Sequence, residues 1–143
     1  MSKTLVLMVG LPRSGKSTRA RELAHLDGSP IVCPDAVRLA LHGQRFVASA
    51  EPFVWAIART MVEALFLAGH DSVIVDATHG TRKRRDFWKA TAAVPYKRAF
   101  LTIDTPRAVC LERAVKEGDT EIVPVIERMA AAWEPVAAEE LAS

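Results

Sequence analysis

An apolar run, a glycine-rich turn and a helical pattern follow one another over residues 5–26. Residues 5–9 are all apolar, which is typical of a strand buried on both faces of a parallel sheet. The next segment, GLPRSGKS at residues 10–17, fits the pattern G-x-x-x-x-G-K-[ST] at every fixed position. A helical pattern then runs from about residue 16 to residue 26. This order of strand, loop and helix is the context in which the motif forms a phosphate-binding loop.

The spacing of this loop suits the chemistry of phosphate binding. Its glycines let successive backbone N–H groups point at phosphate oxygens, and the helix that follows directs the positive end of its dipole at the same anion. We expect the Lys16 ammonium to reach the β- and γ-phosphates of a nucleotide and the Ser17 hydroxyl to ligate Mg²⁺. The loop residues expected to contact the nucleotide are Gly10, Arg13, Ser14, Gly15, Lys16, Ser17 and Thr18.

Three further apolar runs predict strands, and they alternate with helical patterns. The predicted strands are residues 31–33, 72–76 and 98–104. The predicted helices after the first are residues 35–42, 51–68, 81–91, 105–118 and 124–133. Thr105 is the expected N-cap of the fourth of these. The alternation predicts an α/β protein, a three-layer P-loop fold with a parallel sheet and helices on both faces, in a single domain over residues 1–143.

Composition narrows the class of protein. Hydrophobic residues make up 50% of the chain and charged residues 25%, which provides for one core and excludes a disordered chain. No apolar run approaches the roughly 18 residues needed to cross a bilayer. Cys33 and Cys110 fit neither a zinc spacing nor a disulfide framework. We therefore expect a cytoplasmic protein with free thiols and no membrane contact.

Asp35 and Arg38 follow the second predicted strand. Ligands of α/β proteins bind at the carboxyl ends of parallel strands, so Asp35 is placed to take a proton from an acceptor hydroxyl. Arg38 lies on the same helical face and is placed to hold a phosphate of the acceptor. A structural interpretation is also open, because Asp after Pro at a helix start is a good N-cap and an exposed Arg needs no partner. The two interpretations are compatible.

Asp76 ends the third predicted strand. An acid after a hydrophobic strand often holds the Mg²⁺ shell in P-loop proteins, so Ser17 and Asp76 are the predicted metal ligands, and Asp76 is also a candidate substrate contact. The alternative is that Asp76 caps the turn that follows it. His79 is interpreted as a hydrogen-bonded turn residue rather than a catalyst.

Two groups of cations suggest further contacts with anions. Positive charge is concentrated at residues 82–85, where Arg82 and Arg85 are candidate contacts for a nucleic-acid backbone, and a solvated face is the alternative. Arg113, with Arg107 and Lys116 nearby, precedes a glycine at position 118. Such a segment can form a lid whose arginine neutralises charge on a transferring phosphoryl group.

Taken together, the motifs resemble the kinase domain of phage-type polynucleotide 5′-hydroxyl kinases and their zeta-toxin-like relatives among the AAA ATPases. The resemblance runs from Lys3 to about Pro135, nearly the whole chain. The motifs that carry it are the loop at residues 10–18, the Asp35 and Arg38 pair, the strand and acid at residues 73–78, and CLER at residues 110–113 followed by Val123 and Pro124.

The resemblance implies a role for each matching residue. It implies that Asp35 is the general base, that Arg38 contacts a substrate phosphate and the reacting centre, and that Arg113 serves the lid. It implies that Lys16 and Ser17 handle ATP and Mg²⁺. The chain departs from the family in one position of the lid, where Glu117 replaces a second phosphate-binding arginine.

The leading hypothesis is therefore a kinase that uses ATP and Mg²⁺ to phosphorylate a hydroxyl of nucleic acid, with Asp35, Lys16 and Arg38 as catalytic residues. The acceptor would be a 5′-hydroxyl end of DNA or RNA, or a hydroxymethyl group such as that of 5-hydroxymethyluracil in phage DNA. A small-molecule kinase acting on a sugar, an antibiotic, a nucleoside or a nucleotide-sugar is the alternative. A switch that hydrolyses ATP slowly is a third possibility, and the oligomeric state stays open.

Overall fold

The computed structural model describes residues 2–91 and 93–142. Within them, one parallel sheet contains the strands β1 (Thr4–Val9), β2 (Ile31–Val32), β3 (Ser72–Val75) and β4 (Lys97–Thr102). Their order across the sheet is β2-β3-β1-β4. The central strand β1 is in register with both neighbours, since Thr4 pairs with Ser72 on one side and with Lys97 on the other. The carboxyl ends of all these strands therefore meet at one edge of the sheet.

Helices connect the strands and cover the sheet. They are α1 (Lys16–Asp27), α2 (Pro34–His42), α3 (Glu51–Leu67), α4 (Arg82–Asp86), α5 (Arg107–Lys116) and α6 (Val123–Ala131). Short 3₁₀ turns lie at Ala48–Ala50, Thr120–Ile122 and Ala138–Ala142. In the part of the chain that is described, none of these helices combines the length and apolar character needed to span a membrane.

The alternating side chains of β1 enter two separate cores. Leu5 and Leu7 point to the face covered by α3, where they pack in a cluster with Ala58 and Val62. Met8 belongs to the cluster on the opposite face, with Ala20 of α1. Because successive residues of a strand point to opposite faces, a strand covered on both sides must be apolar throughout. The prediction of a three-layer α/β fold with helices on both faces of a parallel sheet is confirmed.

Helix α4 is shorter than the sequence predicts. The pattern indicates a helix over residues 81–91, whereas the helix ends at Asp86. Phe87 and Trp88 follow it, and both pack into the α3 face of the core, where their rings meet edge to face with centroids 5.0 Å apart. Neighbouring positions of a straight helix lie about 100° apart around its axis, so two consecutive bulky residues enter one core more easily from a turn.

The ends of α5 and α6 also differ from the prediction. Thr105 is not the N-cap of α5; Pro106 takes that position, and the Thr105 hydroxyl donates instead to the Ser14 carbonyl oxygen at 2.7 Å. Helix α6 stops at Ala131, so Trp133 lies beyond it. A Cβ atom added to Gly80 would meet the Trp133 ring at 2.7 Å, so glycine lets the ring pack directly on the backbone after β3. The sequence contains no local signal for either long-range contact.

Candidate active site

The loop after β1 adopts the conformation that its glycines predict. Gly15, the N-cap of α1, has a φ of 97°, in the left-handed region that glycine enters freely. Arg13 is also left-handed, with a φ of 67°, which is uncommon for a residue with a side chain. Lys16 and Ser17 form the first turn of α1 and are both half-buried. The loop therefore stands at the positive end of the α1 dipole, as anion binding requires.

Gly10 begins the loop at a point with no space for a side chain. A Cβ atom there would lie 2.6 Å from Ser14 Oγ and 3.2 Å from the Ile103 carbonyl oxygen. The Gly10 N–H donates to the Thr78 carbonyl oxygen at 3.1 Å, which fixes the loop to the segment after β3. A side chain at position 10 would therefore force Ser14 and the loop to move.

We expect Gly10→Ala to weaken nucleotide binding about tenfold or more, because the added methyl group must displace Ser14 and the N–H groups beside it. Titration with a fluorescent ATP analogue measures the effect. Gly28→Ala is the matched control: it adds the same methyl group at a left-handed position, with nothing within 4 Å, at the far end of α1. Equal loss of affinity in both variants would contradict the role given to Gly10.

The segment at and after the end of α5 lies against the loop. Arg113 Nη1 donates to the Arg13 carbonyl oxygen at 3.0 Å, and it lies 3.8 Å from where a Gly15 Cβ would be. The Arg13 guanidinium forms salt bridges with Glu117 and, at 2.5 Å, with Asp119. Arg113 thus reaches the loop, as a lid arginine would. Glu117, which departs from the family pattern, holds a loop arginine.

Asp119 connects this segment to the turn after α2. Its two carboxylate oxygens accept from Arg45 at 2.8 and 2.5 Å, in addition to the bond from Arg13. The hydrogen bonds from Arg45 and then Arg13 hold the pKa of Asp119 well below its usual range. The Asp119 hydrogen bond is the main cause that raises the pKa of Arg45, and the charge of Asp35 adds to it. Asp119 therefore joins Arg45, after α2, to Arg13 of the phosphate loop.

Asp35 and Arg38 form one cluster with Glu51. Arg38 donates to both carboxylate oxygens of Glu51, at 3.0 and 2.7 Å, and its third contact is Asp35 Oδ1 at 2.7 Å. Burial alone would lower the pKa of Arg38, but the Glu51 hydrogen bonds and the charges of Glu51 and Asp35 outweigh it and raise that pKa. The Asp35 side chain is 78% exposed, against 15% for Arg38 and 14% for Glu51. Asp35 thus stays open to a substrate while Arg38 is held beneath it.

The site of the predicted metal ion is the end of β3. Asp76 is buried, and its Oδ1 atom has no hydrogen-bond partner in the described part of the chain. Burial is the main cause that raises the pKa of the Cys33 thiol, and the charges of Asp76 and Asp35 add to it, so both carboxylates lie near Cys33. An orphaned buried carboxylate oxygen beside a phosphate loop suits a cation that keeps part of its water shell. Asp76 therefore fits Mg²⁺, and Ser17 stays a predicted second ligand.

His79 is a buried turn residue with an unusual backbone. Its φ of 49° lies in the left-handed region, and its Nδ1 is 2.5 Å from the Met8 carbonyl oxygen. Because only a protonated Nδ1 can donate to a carbonyl, Nε2 carries the lone pair, and within residues 2–91 and 93–142 it has no partner. Burial, with the nearby charges of Lys16 and Arg85, lowers the pKa of His79 to about 4.

The low pKa of His79 predicts a loss of stability in mild acid. His79 binds a proton near pH 6.5 in the unfolded chain and near pH 4 in the folded chain. The folded state therefore keeps its full stability above about pH 6.5 and loses stability as the pH falls toward 4. Between about pH 7.5 and about pH 5, His79 should account for a loss of about 2 kcal/mol in the free energy of unfolding. Urea unfolding at both pH values measures this loss. It should be smaller in His79→Asn, in which asparagine can adopt the same left-handed backbone conformation. The loss in the exposed control His25→Asn should equal that of the wild type.

The two arginines predicted to contact a substrate backbone have different surroundings in the structure. Arg85 is fully buried; its guanidinium donates to both carboxylate oxygens of Glu140, at 2.8 and 3.1 Å, and to the His79 carbonyl oxygen at 2.9 Å. The prediction for Arg85 is therefore wrong, because no part of the side chain faces a ligand. Arg82 is partly exposed and pairs with Glu139 at 2.6 Å. Its contact with a substrate stays a prediction.

Sequence reasoning missed several residues of this site. Glu51 occupies the first turn of α3, where an acid is favoured by the helix dipole alone, so its position gives no sign of the pair with Arg38. Arg45 and Asp119 lie in turns that are distant in the chain, and their contact appears only in three dimensions. Trp55 lies beneath Arg38, with the guanidinium carbon 5.7 Å from the ring centroid.

The sequence family that matches this chain is AAA_33, described as an AAA domain, and the match covers residues 5–136. The chain belongs to this family. The resemblance to P-loop kinases of the polynucleotide-kinase type is confirmed at the level of the family. The AAA_33 assignment agrees with the phosphate loop and the strand-end acids described above. No curated protein matches the sequence.

Solved structures with a similar fold come from several kinases. A chain in a structure of the Pnkp1/Rnl/Hen1 complex is 28% identical, with a TM-score of 0.68; the match covers 78% of this AAA_33 chain and 39% of that one. A gluconokinase from Sinorhizobium meliloti 1021 is 19% identical, with a TM-score of 0.66, and the match covers 96% and 78% of the two chains.

A third neighbour is the Mycobacterium tuberculosis APS kinase CysC in complex with AMPPNP and APS. It is 22% identical with a TM-score of 0.62, and the match covers 88% of this chain and 76% of that one. Likenesses at these identities to the gluconokinase and the APS kinase show the P-loop kinase fold. The AAA_33 chain spans less than half the length of the chain that it matches in the Pnkp1/Rnl/Hen1 complex.

Proposed function

We propose that this P-loop kinase domain transfers the γ-phosphoryl group of ATP to a hydroxyl group of nucleic acid. The observation that carries the proposal is the cluster in which Arg38 binds both Glu51 and Asp35 and leaves the Asp35 carboxylate exposed at the ligand-binding edge of the sheet. A carboxylate held in this way can accept a proton from a hydroxyl that attacks phosphorus.

In the proposed reaction, Asp35 takes the proton of the acceptor hydroxyl. The acceptor oxygen forms a bond to the γ-phosphorus as the bond between that phosphorus and the bridging oxygen of ADP breaks. Lys16 and Arg113 neutralise the negative charge that spreads over the phosphoryl oxygens and the departing ADP. Arg38 acts through Asp35 as a positioning residue, since its hydrogen bond fixes one carboxylate oxygen.

The chain's own residues fit the expected cofactors. The loop at residues 10–18 would hold the phosphates of ATP, and Ser17 with Asp76 would hold Mg²⁺. When bound there, the metal ion would neutralise charge on the β- and γ-phosphates. The ion pairs of Arg13 with Glu117 and Asp119 hold this loop arginine against the segment after α5.

A small-molecule kinase is the second candidate. The gluconokinase fold matches nearly the whole of this chain and most of the neighbour, whereas the chain of the Pnkp1/Rnl/Hen1 complex is much longer. The nucleic-acid proposal is supported instead by the higher identity to the chain of the Pnkp1/Rnl/Hen1 complex. The identity of the acceptor hydroxyl therefore decides between the two.

One experiment tests the proposal. γ-Labelled ATP and Mg²⁺ are supplied with a panel of acceptors: 5′-hydroxyl DNA and RNA oligonucleotides, duplex DNA containing 5-hydroxymethyluracil, and a pool of sugars and nucleosides. Label on an oligonucleotide is expected, and mapping it to the 5′ end or to an internal base identifies the acceptor. Label on small molecules alone would favour the second candidate. Release of free phosphate without any labelled acceptor would contradict both and indicate a slow ATPase.

A further inference from the structure

The four consecutive cations at residues 82–85 divide into two pairs. Arg82 and Arg85 are bound to the acids of the 3₁₀ turn at Ala138–Ala142. Lys83 and Arg84 are exposed, and within residues 2–91 and 93–142 neither has a carboxylate at salt-bridge distance. The basic run thus supplies two free cations at the surface and two that attach the C-terminal turn.

The Arg84 side chain lies over an aromatic ring. Its guanidinium carbon is 4.6 Å from the centroid of Trp55, and the guanidinium carbon of Arg38 is 5.7 Å from the same centroid. The two guanidinium groups are therefore no more than about 10 Å apart. Arg38 is in turn hydrogen-bonded to Asp35. One tryptophan thus links a free cation to the cluster that contains the proposed base.

An open depression of about 350 Å³ lies beside this tryptophan. Its lining is mostly apolar, with Arg84 and Glu51 as the charged members; the lining residues are Glu51, Pro52, Trp55, Ala56, Arg84 and Phe87. The Glu51 carboxylate is bound on both oxygens by Arg38, and the Arg38 hydrogen bond lowers the pKa of Glu51. The charge of Arg84 also contributes to the lowered pKa of Glu51. Among the described residues Arg84 is exposed and has no carboxylate at salt-bridge distance, so it is the cation of this depression that can attract an anionic ligand.

We propose that Arg84, supported on Trp55, binds a phosphate group of the acceptor and so makes this site select an anionic substrate, a phosphodiester strand or a phosphorylated nucleoside. The inference rests on the proposed function, because it assigns the acceptor to the Asp35 side of the site. A guanidinium that lies over an aromatic ring still has N–H groups that can donate to phosphate oxygens. A neutral sugar has no group that would pair with Arg84.

Equilibrium binding tests this proposal independently of catalysis. The probe is a short single-stranded DNA with a 5′-hydroxyl end and a 3′ fluorophore, and its anisotropy is followed in rising salt without ATP. We expect Arg84→Gln to weaken binding about tenfold and to lower the slope of log affinity against log salt by about 1. Arg84→Lys should retain the slope, since it keeps the charge. Arg128→Gln, an exposed arginine on α6, is the matched control and should bind like the wild type.

Competition with small ligands identifies the recognised group. Thymidine 3′-monophosphate should displace the probe from the wild type, and thymidine should not. Equal affinity of Arg84→Gln and Arg128→Gln, or equal displacement by thymidine 3′-monophosphate and thymidine, would overturn the inference even if phosphoryl transfer is observed. If the binding results are as expected but no acceptor becomes labelled, the proposed kinase activity fails while the anion site stands.

Discussion

Asp35→Asn is expected to lower the rate of phosphoryl transfer by about 10²- to 10⁴-fold, the usual contribution of a general base. Asparagine has nearly the same shape and can still contact Arg38, but it cannot accept the proton of the attacking hydroxyl. The loss should appear in kcat at saturating acceptor. ATP affinity should hardly change, because the phosphate loop and α1 hold the nucleotide without Asp35.

The measurement combines a transfer assay with titration of an ATP analogue. Asp71→Asn is the matched control, since Asp71 is also exposed but precedes β3 at the opposite end of the sheet. Transfer at the wild-type rate by Asp35→Asn would remove Asp35 as the base. A parallel loss of ATP binding would indicate instead that Asp35 supports the folded loop.

Glu140→Ala is expected to lower the free energy of unfolding by about 3–5 kcal/mol. The side chains of Glu140 and Arg85 are both fully buried, and the carboxylate also accepts from the Ala137 N–H at 2.8 Å. Removing the acid leaves the Arg85 guanidinium in the interior without its carboxylate. A buried charge without a partner raises the free energy of the folded state and so lowers the free energy of unfolding.

Urea unfolding measures this loss, and Glu139→Ala provides the control. Glu139 is next in the chain and pairs with Arg82, but both side chains are exposed, so its removal should change stability little. The Arg85 hydrogen bond lowers the pKa of Glu140. The stabilisation is therefore present above the unfolded value of about 4.3 and is lost as the pH falls through the lower folded pKa. Equal unfolding midpoints for the two variants would contradict the buried pair.

The sheet and the phosphate loop could be predicted from the sequence because their signals are local. The apolar run of β1, the glycines at positions 10 and 15 and the helix that follows lie within one continuous stretch. The strand-end acids Asp35 and Asp76 could be placed at one edge of the sheet for the same reason, since parallel strands bring their carboxyl ends together.

The contacts between distant side chains could not be predicted. Arg85 and Arg84 are neighbours in an unbroken basic run, yet one is buried against Glu140 and the other lies over Trp55. From its charge, the run is expected to form a solvated or anion-binding surface. Which of its members is buried instead depends on a carboxylate far along the chain. The short α4 has a similar origin, because the packing of Trp88 ends the helix.

The order of the strands also has a consequence for synthesis. β1 is made well before either of its partners, since Thr4 pairs with Ser72 in β3 and with Lys97 in β4. At ordinary elongation rates the wait lasts on the order of ten seconds. Until β3 is made, five consecutive apolar residues have no strand to pair with. An apolar strand left unpaired during synthesis is a segment through which the nascent chain can aggregate.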